Sequence, residues 1–160
     1  MSKKFWLGVA YVAVIGALSN FFALLINRDK LDEDKRPFKP YKWENGGKVY
    51  DRIAIRHWKN KVPDASRLFK FILPKKVASG TTSDDLRTLI KETCVAEIVH
   101  TALIILSLAV LIIVPGREGV ILYILCLVGN IPFILIQRYN RPQYIIAKKR
   151  LSRREERLRQ

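Results

Sequence analysis

Aspartate, glutamate, lysine and arginine are missing from three long stretches of this 160-residue chain. Phe5 to Asn27 is a charge-free run of 23 residues, and Ile98 to Gly116 and Gly119 to Gln137 are two more of 19 residues each, separated only by Arg117 and Glu118. About 20 apolar residues span a hydrocarbon core of roughly 30 Å. In lipid each such segment must satisfy its own backbone hydrogen bonds, so helix is the expected state. Cysteine is also scarce. Cys94 and Cys126 offer neither a disulfide framework nor a metal-ligand spacing, and read as small core residues. The chain lacks a Gly-x-Ser-x-Gly elbow, a phosphate-binding glycine loop and a zinc pattern, so the chemistries that depend on those motifs lose their usual signature. No internal repeat or low-complexity segment is evident.

What is present in excess is positive charge, +15 overall. Its placement argues against nucleic acid. Of the 29 basic residues, 17 fall between Arg28 and Lys91 and 9 from Arg138 onward. Three spans put the loop 28–94 and the tail 138–160 on one side, and the positive-inside bias makes that side cytoplasmic, with the N-terminus outside. Attraction to anionic headgroups accounts for such charge more simply than phosphate-backbone binding. The expected architecture is an all-α membrane protein, one integral domain over 1–160, with transmembrane helices near 5–27, 95–115 and 119–137. The first run also carries the Lys3-Lys4 start of a signal peptide. Its length, and its bulky end at Phe21, Phe22, Leu24, Leu25 and Ile26, favour a retained helix.

Between the spans, 28–47 reads as an irregular loop closed by Asn45-Gly46-Gly47. Val49, Tyr50, Ile53, Ala54, His57 and Trp58 recur at helical spacing, which suggests a short amphipathic helix ending near Pro63. Ser66 to Leu73, ahead of Lys75-Lys76, suggests a second, interfacial one. A long helix is expected from Thr81 to Ser83 onward, because Thr82 and Asp85 have capping-box spacing and Asp84 and Asp85 suit the positive helix end. Pro132 is expected to interrupt and kink the third span. Pro142 is expected to form a turn, and the tail beyond it a surface-lying or frayed helix.

Counted outward from Arg117 and Glu118, Glu97 falls level with Gln137, and Arg138 comes one residue later. His100 lies one helical turn inside Glu97. An ionisable group at membrane depth is costly and points to function. A neutral histidine can take a proton from a hydroxyl while a carboxylate fixes its tautomer and steadies the imidazolium. The bland alternative is a polar pair satisfied across the bundle. A di-metal carboxylate site would need two Glu-x-x-His motifs plus two further Glu residues; a single motif gives no reason to expect a metal. Gln137-Arg138-Tyr139-Asn140-Arg141-Pro142 is either an interfacial anchor or a donor cluster for phosphate or a carbonyl oxygen, a task that suits the arginine fork. Arg56, Trp58 and Lys59 could bind sugar or phosphate, or lie in a basic interfacial helix. His57 does not begin a His-x4-Asp motif, since position 62 is Val.

These blocks resemble the glycosyl-4,4'-diaponeurosporenoate acyltransferase family, membrane enzymes of the staphyloxanthin carotenoid pathway. The resemblance rests on Trp43-Glu44 with Gly47-Lys48 and Tyr50, on Arg56, Trp58, Lys59, Lys61 and Asp64, on Glu92-Thr93 with Glu97 and His100, and on Asn130, Pro132 and Gln137 to Pro142. It covers roughly Trp43 to Pro142. It implies transfer of a fatty acyl group to a sugar hydroxyl of a lipid-linked glycoside, on the cytoplasmic face of the cell membrane. On that reading His100 is the base and Glu97 its orienter. Arg138 and Arg141 meet developing negative charge or the donor's phosphates, and Arg56, Trp58, Lys59, Tyr139 and Asn140 bind substrate. The co-substrate is an acyl-CoA or acyl-carrier-protein thioester, no cofactor stays bound, and the partners are membrane lipid, acyl donor and glycosylated acceptor. The rival reading is a non-catalytic scaffold or anionic-lipid-binding module.

Overall fold

A computed structural model describes residues 2–62 and 81–159. The expected interfacial helix from Ser66 to Leu73, together with Pro63 and Asp64, lies outside the described residues. Among those described there is no strand; the helices are α1 (Lys3–Leu25), α2 (Ile55–Trp58), α3 (Ser83–Ser107), α4 (Val110–Ile113) and α5 (Arg117–Arg159), with 3-10 segments at Arg28–Lys30 and Lys42–Ile53. Three helical stretches, Lys3–Leu25, Ser83–Ile113 and Arg117–Leu158, are long and apolar enough to cross a membrane. The chain is an all-α membrane protein. It divides into two compact units, Met1–Asn27 with Val95–Ile134 and Arg28–Cys94 with Leu135–Gln160.

The first, the membrane unit, holds α1, the apolar part of α3, α4 and the first half of α5. The Ser2 hydroxyl caps α1 by accepting from the Phe5 N–H at 3.2 Å and donates to Glu118 at 2.8 Å. Glu118 thus stands in the first turn of α5, where the helix dipole favours a carboxylate. Phe5, Val9, Tyr11 and Val12 of α1 pack on Val110, Val114 and Leu122. Gly8 makes that approach possible, because a Cβ there would come within 2.5 Å of Val114 Cγ2. The outward residues of α1, including Trp6, Leu7, Phe21, Phe22 and Leu24, are exposed, as suits a surface bathed in lipid tails.

Two local features depart from the expected hairpin. The second span breaks between Ser107 and Val110. Ser107 Oγ bonds back to the Ile104 carbonyl at 2.8 Å, a contact that bends helices. The connecting turn falls at Val114 to Gly116, where Gly116 takes a φ of +89°, so Arg117 and Glu118 belong to α5 rather than to the turn. Pro132 does not interrupt α5, and Pro142 forms no turn; the helix is continuous through both to Arg159. Prolines in membrane helices are tolerated where neighbouring groups re-satisfy the freed backbone.

The second, polar unit is built on the start of α3 and the end of α5. Thr82 and Asp85 form the expected reciprocal cap, Thr82 N–H to Asp85 Oδ2 at 2.9 Å and Asp85 N–H to Thr82 Oγ1 at 3.2 Å. Ser83 Oγ donates to Glu155 at 2.6 Å, and Leu86, Leu89 and Ile90 bury Tyr144. The tail is therefore packed against α3 rather than frayed. The region 49–58 is not one amphipathic helix. Ala54 sits in the left-handed region at φ 50°, ending the 3-10 segment and starting α2 anew. Tyr50 and Ile55 on either side of that break pack on Ile136 and Tyr139. The expected turn at Asn45-Gly46-Gly47 is present, with φ values of 47°, 62° and 92°.

Candidate active site

In the membrane unit, Glu97 and His100 stand one turn apart on α3. The Glu97 residue is buried, at 7% exposure, and His100 is half-buried. The imidazole lies flat on Phe133 of α5, ring centroids 4.4 Å apart and planes within 9°. Its Nδ1 is 2.8 Å from the carboxamide Oδ1 of Asn130. The Nδ2 of Asn130 donates to the Cys126 carbonyl at 2.8 Å, one turn back along α5. Sequence reasoning offered Glu97 as the orienter of His100; the group at Nδ1 is Asn130. A signal for it existed: His100 and Asn130 are equally distant in sequence from Pro115, so a turn centred there pairs them. Centring the hairpin on Arg117 and Glu118 misses this by about a helical turn.

In the polar unit, Glu44 anchors a second constellation. The Lys42–Ile53 segment carries it to α5, where Arg138 grips both carboxylate oxygens, Nε on Oε1 at 2.5 Å and Nη2 on Oε2 at 2.8 Å. The Tyr50 hydroxyl and the Tyr41 N–H also donate to Glu44, which is 1% exposed. Burial works to raise this carboxyl, but the bonds from Arg138, Tyr50 and Tyr41 outweigh it and hold it below the usual carboxylate range. Burial, with the carboxylate beside it, pushes the Tyr50 phenol up. The remaining Arg138 Nη1 donates to the Pro37 carbonyl at 3.2 Å. Arg141, 1% exposed, donates from Nε to Thr93 Oγ1 at 2.8 Å, from Nη2 to the Thr93 carbonyl at 3.0 Å and from Nη1 to the Phe38 carbonyl at 2.7 Å. Both arginines thus fasten segment 37–44 and the start of α3 to α5.

The other sequence-predicted residues of this unit do come together. Lys59 Nζ donates to Asn140 Oδ1 at 2.9 Å and lies 4.6 Å from the centre of the Tyr139 ring. Arg56 Nε bonds both the Tyr139 hydroxyl, at 3.0 Å, and Asp51, at 2.9 Å. Burial, aided by the charge of Arg56, draws the Lys59 ammonium below its ordinary value. The Trp58 indole N–H donates to the Ile53 carbonyl at 2.9 Å, and its half-buried ring packs on the Tyr50–Ile55–Ile136–Tyr139 cluster. Gln137 is 1% exposed, and its Oε1 is buried with no hydrogen-bond partner among the described residues.

Residues 34–150 match the glycosyl-4,4'-diaponeurosporenoate acyltransferase family. The chain belongs to that family. Similar proteins include those named glycosyl-4,4'-diaponeurosporenoate acyltransferase in Staphylococcus aureus strains bovine RF122 / ET3-1 and MRSA252, each 32% identical over 124 residues, covering 75% of this chain and 73% of the relative. The protein of that name in strain N315 is 31% identical over the same coverage. No solved structure matches the chain. As a member of this acyltransferase family the protein is an O-acyltransferase of the membrane. The matched stretch contains all of the residues described above, from Pro37 and Glu44 to Arg141.

Proposed function

We propose that this acyltransferase moves a fatty acyl group from a thioester, acyl-CoA or acyl-carrier protein, to a sugar hydroxyl of a lipid-linked glycoside. Its Staphylococcus aureus relatives are named for a glycosyl diaponeurosporenoate acceptor; a glycosylated apolar acid of that kind is the acceptor class to test first. The observation that carries the reading is a buried carboxylate and an imidazole one turn apart on the charge-free stretch of α3. Headgroup binding has no use for such a pair.

The acceptor hydroxyl gives its proton to His100 as its oxygen attacks the thioester carbonyl. The tetrahedral intermediate then collapses, the C–S bond breaks, and the thiolate leaves with the proton returned by His100. Glu97 supplies the negative charge that steadies the imidazolium between these steps. In the polar unit, Lys59 and Arg56 take an anionic phosphate of the donor, as strong N–H donors do. Asn140 and Tyr139 hold them in place. Arg138 and Arg141 act as positioning residues, since protein oxygens occupy their forks. The buried oxygen of Gln137 is an acceptor open to a substrate hydroxyl or amide N–H. The basic loop and tail face the cytoplasm, with the N-terminus outside.

The test is incubation of purified protein in lipid with labelled acyl-CoA or acyl-carrier protein and a glycosylated lipid acceptor. Ester formation is expected from the native chain. His100→Ala should lower it by about 10³-fold or more, with the thermal transition held within a few degrees. Turnover at the native rate by the purified His100→Ala protein removes the base. Headgroup binding with no ester from any donor favours the scaffold reading.

A further inference from the structure

We infer that Asn130 is the positioning residue that selects the reactive nitrogen of His100, making Nε2 the proton acceptor; this rests on the reading of His100 as the base. The carboxamide has two ends that differ chemically, one a donor and one an acceptor. Its NH2 end is committed to the Cys126 carbonyl at 2.8 Å. A carbonyl can only accept, so the end facing His100 at 2.8 Å is the oxygen. An oxygen acceptor requires that Nδ1 carry the proton. In a neutral imidazole the other nitrogen, Nε2, then carries no proton and holds the basic lone pair.

The environment strengthens the selection. The Asn130–His100 pair sits between two charge-free runs, where a misplaced polar hydrogen has no water to bond. Phe133 stacks on the ring at 4.4 Å and 9°, fixing the ring plane and directing Nε2 along one line. A neutral amide also differs from a carboxylate at this position. It orders the tautomer without adding a second full charge beside the ring, leaving Glu97 as the acidic residue on the same stripe of α3. The acceptor hydroxyl must therefore approach Nε2 in the plane of the ring, with Phe133 covering one face.

The chain has only two histidines, His57 and His100, so His57→Gln leaves a single imidazole for nitrogen-15 spectroscopy in lipid nanodiscs. At about pH 8, above the ordinary imidazole pKa, the full chain should show a protonated Nδ1 and a bare Nε2. Asn130→Leu, which keeps the volume and removes the acceptor, should lose that preference. It should lower kcat by about 10²–10⁴-fold, the range for a misdirected general base, with KM for both substrates changed less than about threefold. Asn130→Asp should restore the protonated Nδ1 signal and much of kcat, which a merely structural role would not require. A protonated Nε2 in the otherwise native chain, or an Asn130→Leu protein with unaltered tautomer and kcat, overturns the inference. His100→Ala separates the two readings. If it is inactive while Asn130→Leu is native-like, only the role of Asn130 fails. If it is fully active, the base itself fails and the inference falls with it.

Discussion

The two units hold their polar groups in opposite ways. In the membrane unit a hydrogen bond between two side chains, His100 and Asn130, joins α3 to α5. Its helices meet through shape, with Gly8 admitting Val114, because lipid tails remove the hydrophobic drive that packs helices in water. In the polar unit the arrangement is dense and charge-assisted. Arg138, Arg141, Arg56, Lys59 and Lys91 each engage a protein oxygen. On the proposed reading, chemistry in the apolar unit turns on which atom bears a proton. On the same reading, binding in the polar unit turns on which cations its own carboxylates leave to a substrate.

The largest expected effect on that contrast comes from Glu44→Ala. It leaves the Arg138 guanidinium, 11% exposed, without its carboxylate and should cost about 3 kcal/mol, read as lost thermal stability in detergent. The same contact sets an acid limit. The folded carboxyl titrates below its ordinary value of 4.5, so its stabilisation is complete above that value and is lost as pH falls through the lower, folded value. Glu44→Gln should flatten this acid dependence. Lys59→Met comes next. It should raise KM for the acyl donor about tenfold, roughly 1.4 kcal/mol, while kcat stays within about twofold; an unchanged KM would remove Lys59 from donor binding. Gly8→Ala should then loosen α1 by about 1–2 kcal/mol through the clash with Val114, without moving KM. The smallest effect belongs to Gln137→Met, where an apolar side chain replaces an unpaired buried oxygen. Stability should hold or rise by up to about 1 kcal/mol while KM for one substrate increases. A fall in stability would show that this oxygen serves the fold.

The spans were legible in the sequence because exclusion of charge is a property of composition and needs no partner to be seen. The start of α3 was legible for a related reason, since Thr82 and Asp85 complete their cap within four residues. What stayed hidden depends on distant pairing. Arg138 and Arg141 stand out in the sequence as donors, but their protein partners Glu44, Pro37, Phe38 and Thr93 lie dozens of residues away. Lys59, Arg56, Tyr139 and Asn140 were singled out one by one, yet nothing local says that they meet. The break at Ala54 was likewise invisible, since its left-handed backbone lies between Tyr50 and Ile55, whose packing partners are on α5. The hairpin register followed the charges at Arg117 and Glu118, whereas the backbone freedom of Gly116 decides it.

Gly47 lies so close to α5 that a Cβ in its place would come within 3.2 Å of the Tyr139 carbonyl oxygen. Only a hydrogen separates one main chain from the other there. The stretch of α5 around Tyr139 and Asn140 consequently lies directly against a bare length of peptide. A methyl group added there would need its neighbour to give by a few tenths of an ångström, on a backbone whose φ of +92° side chains rarely adopt.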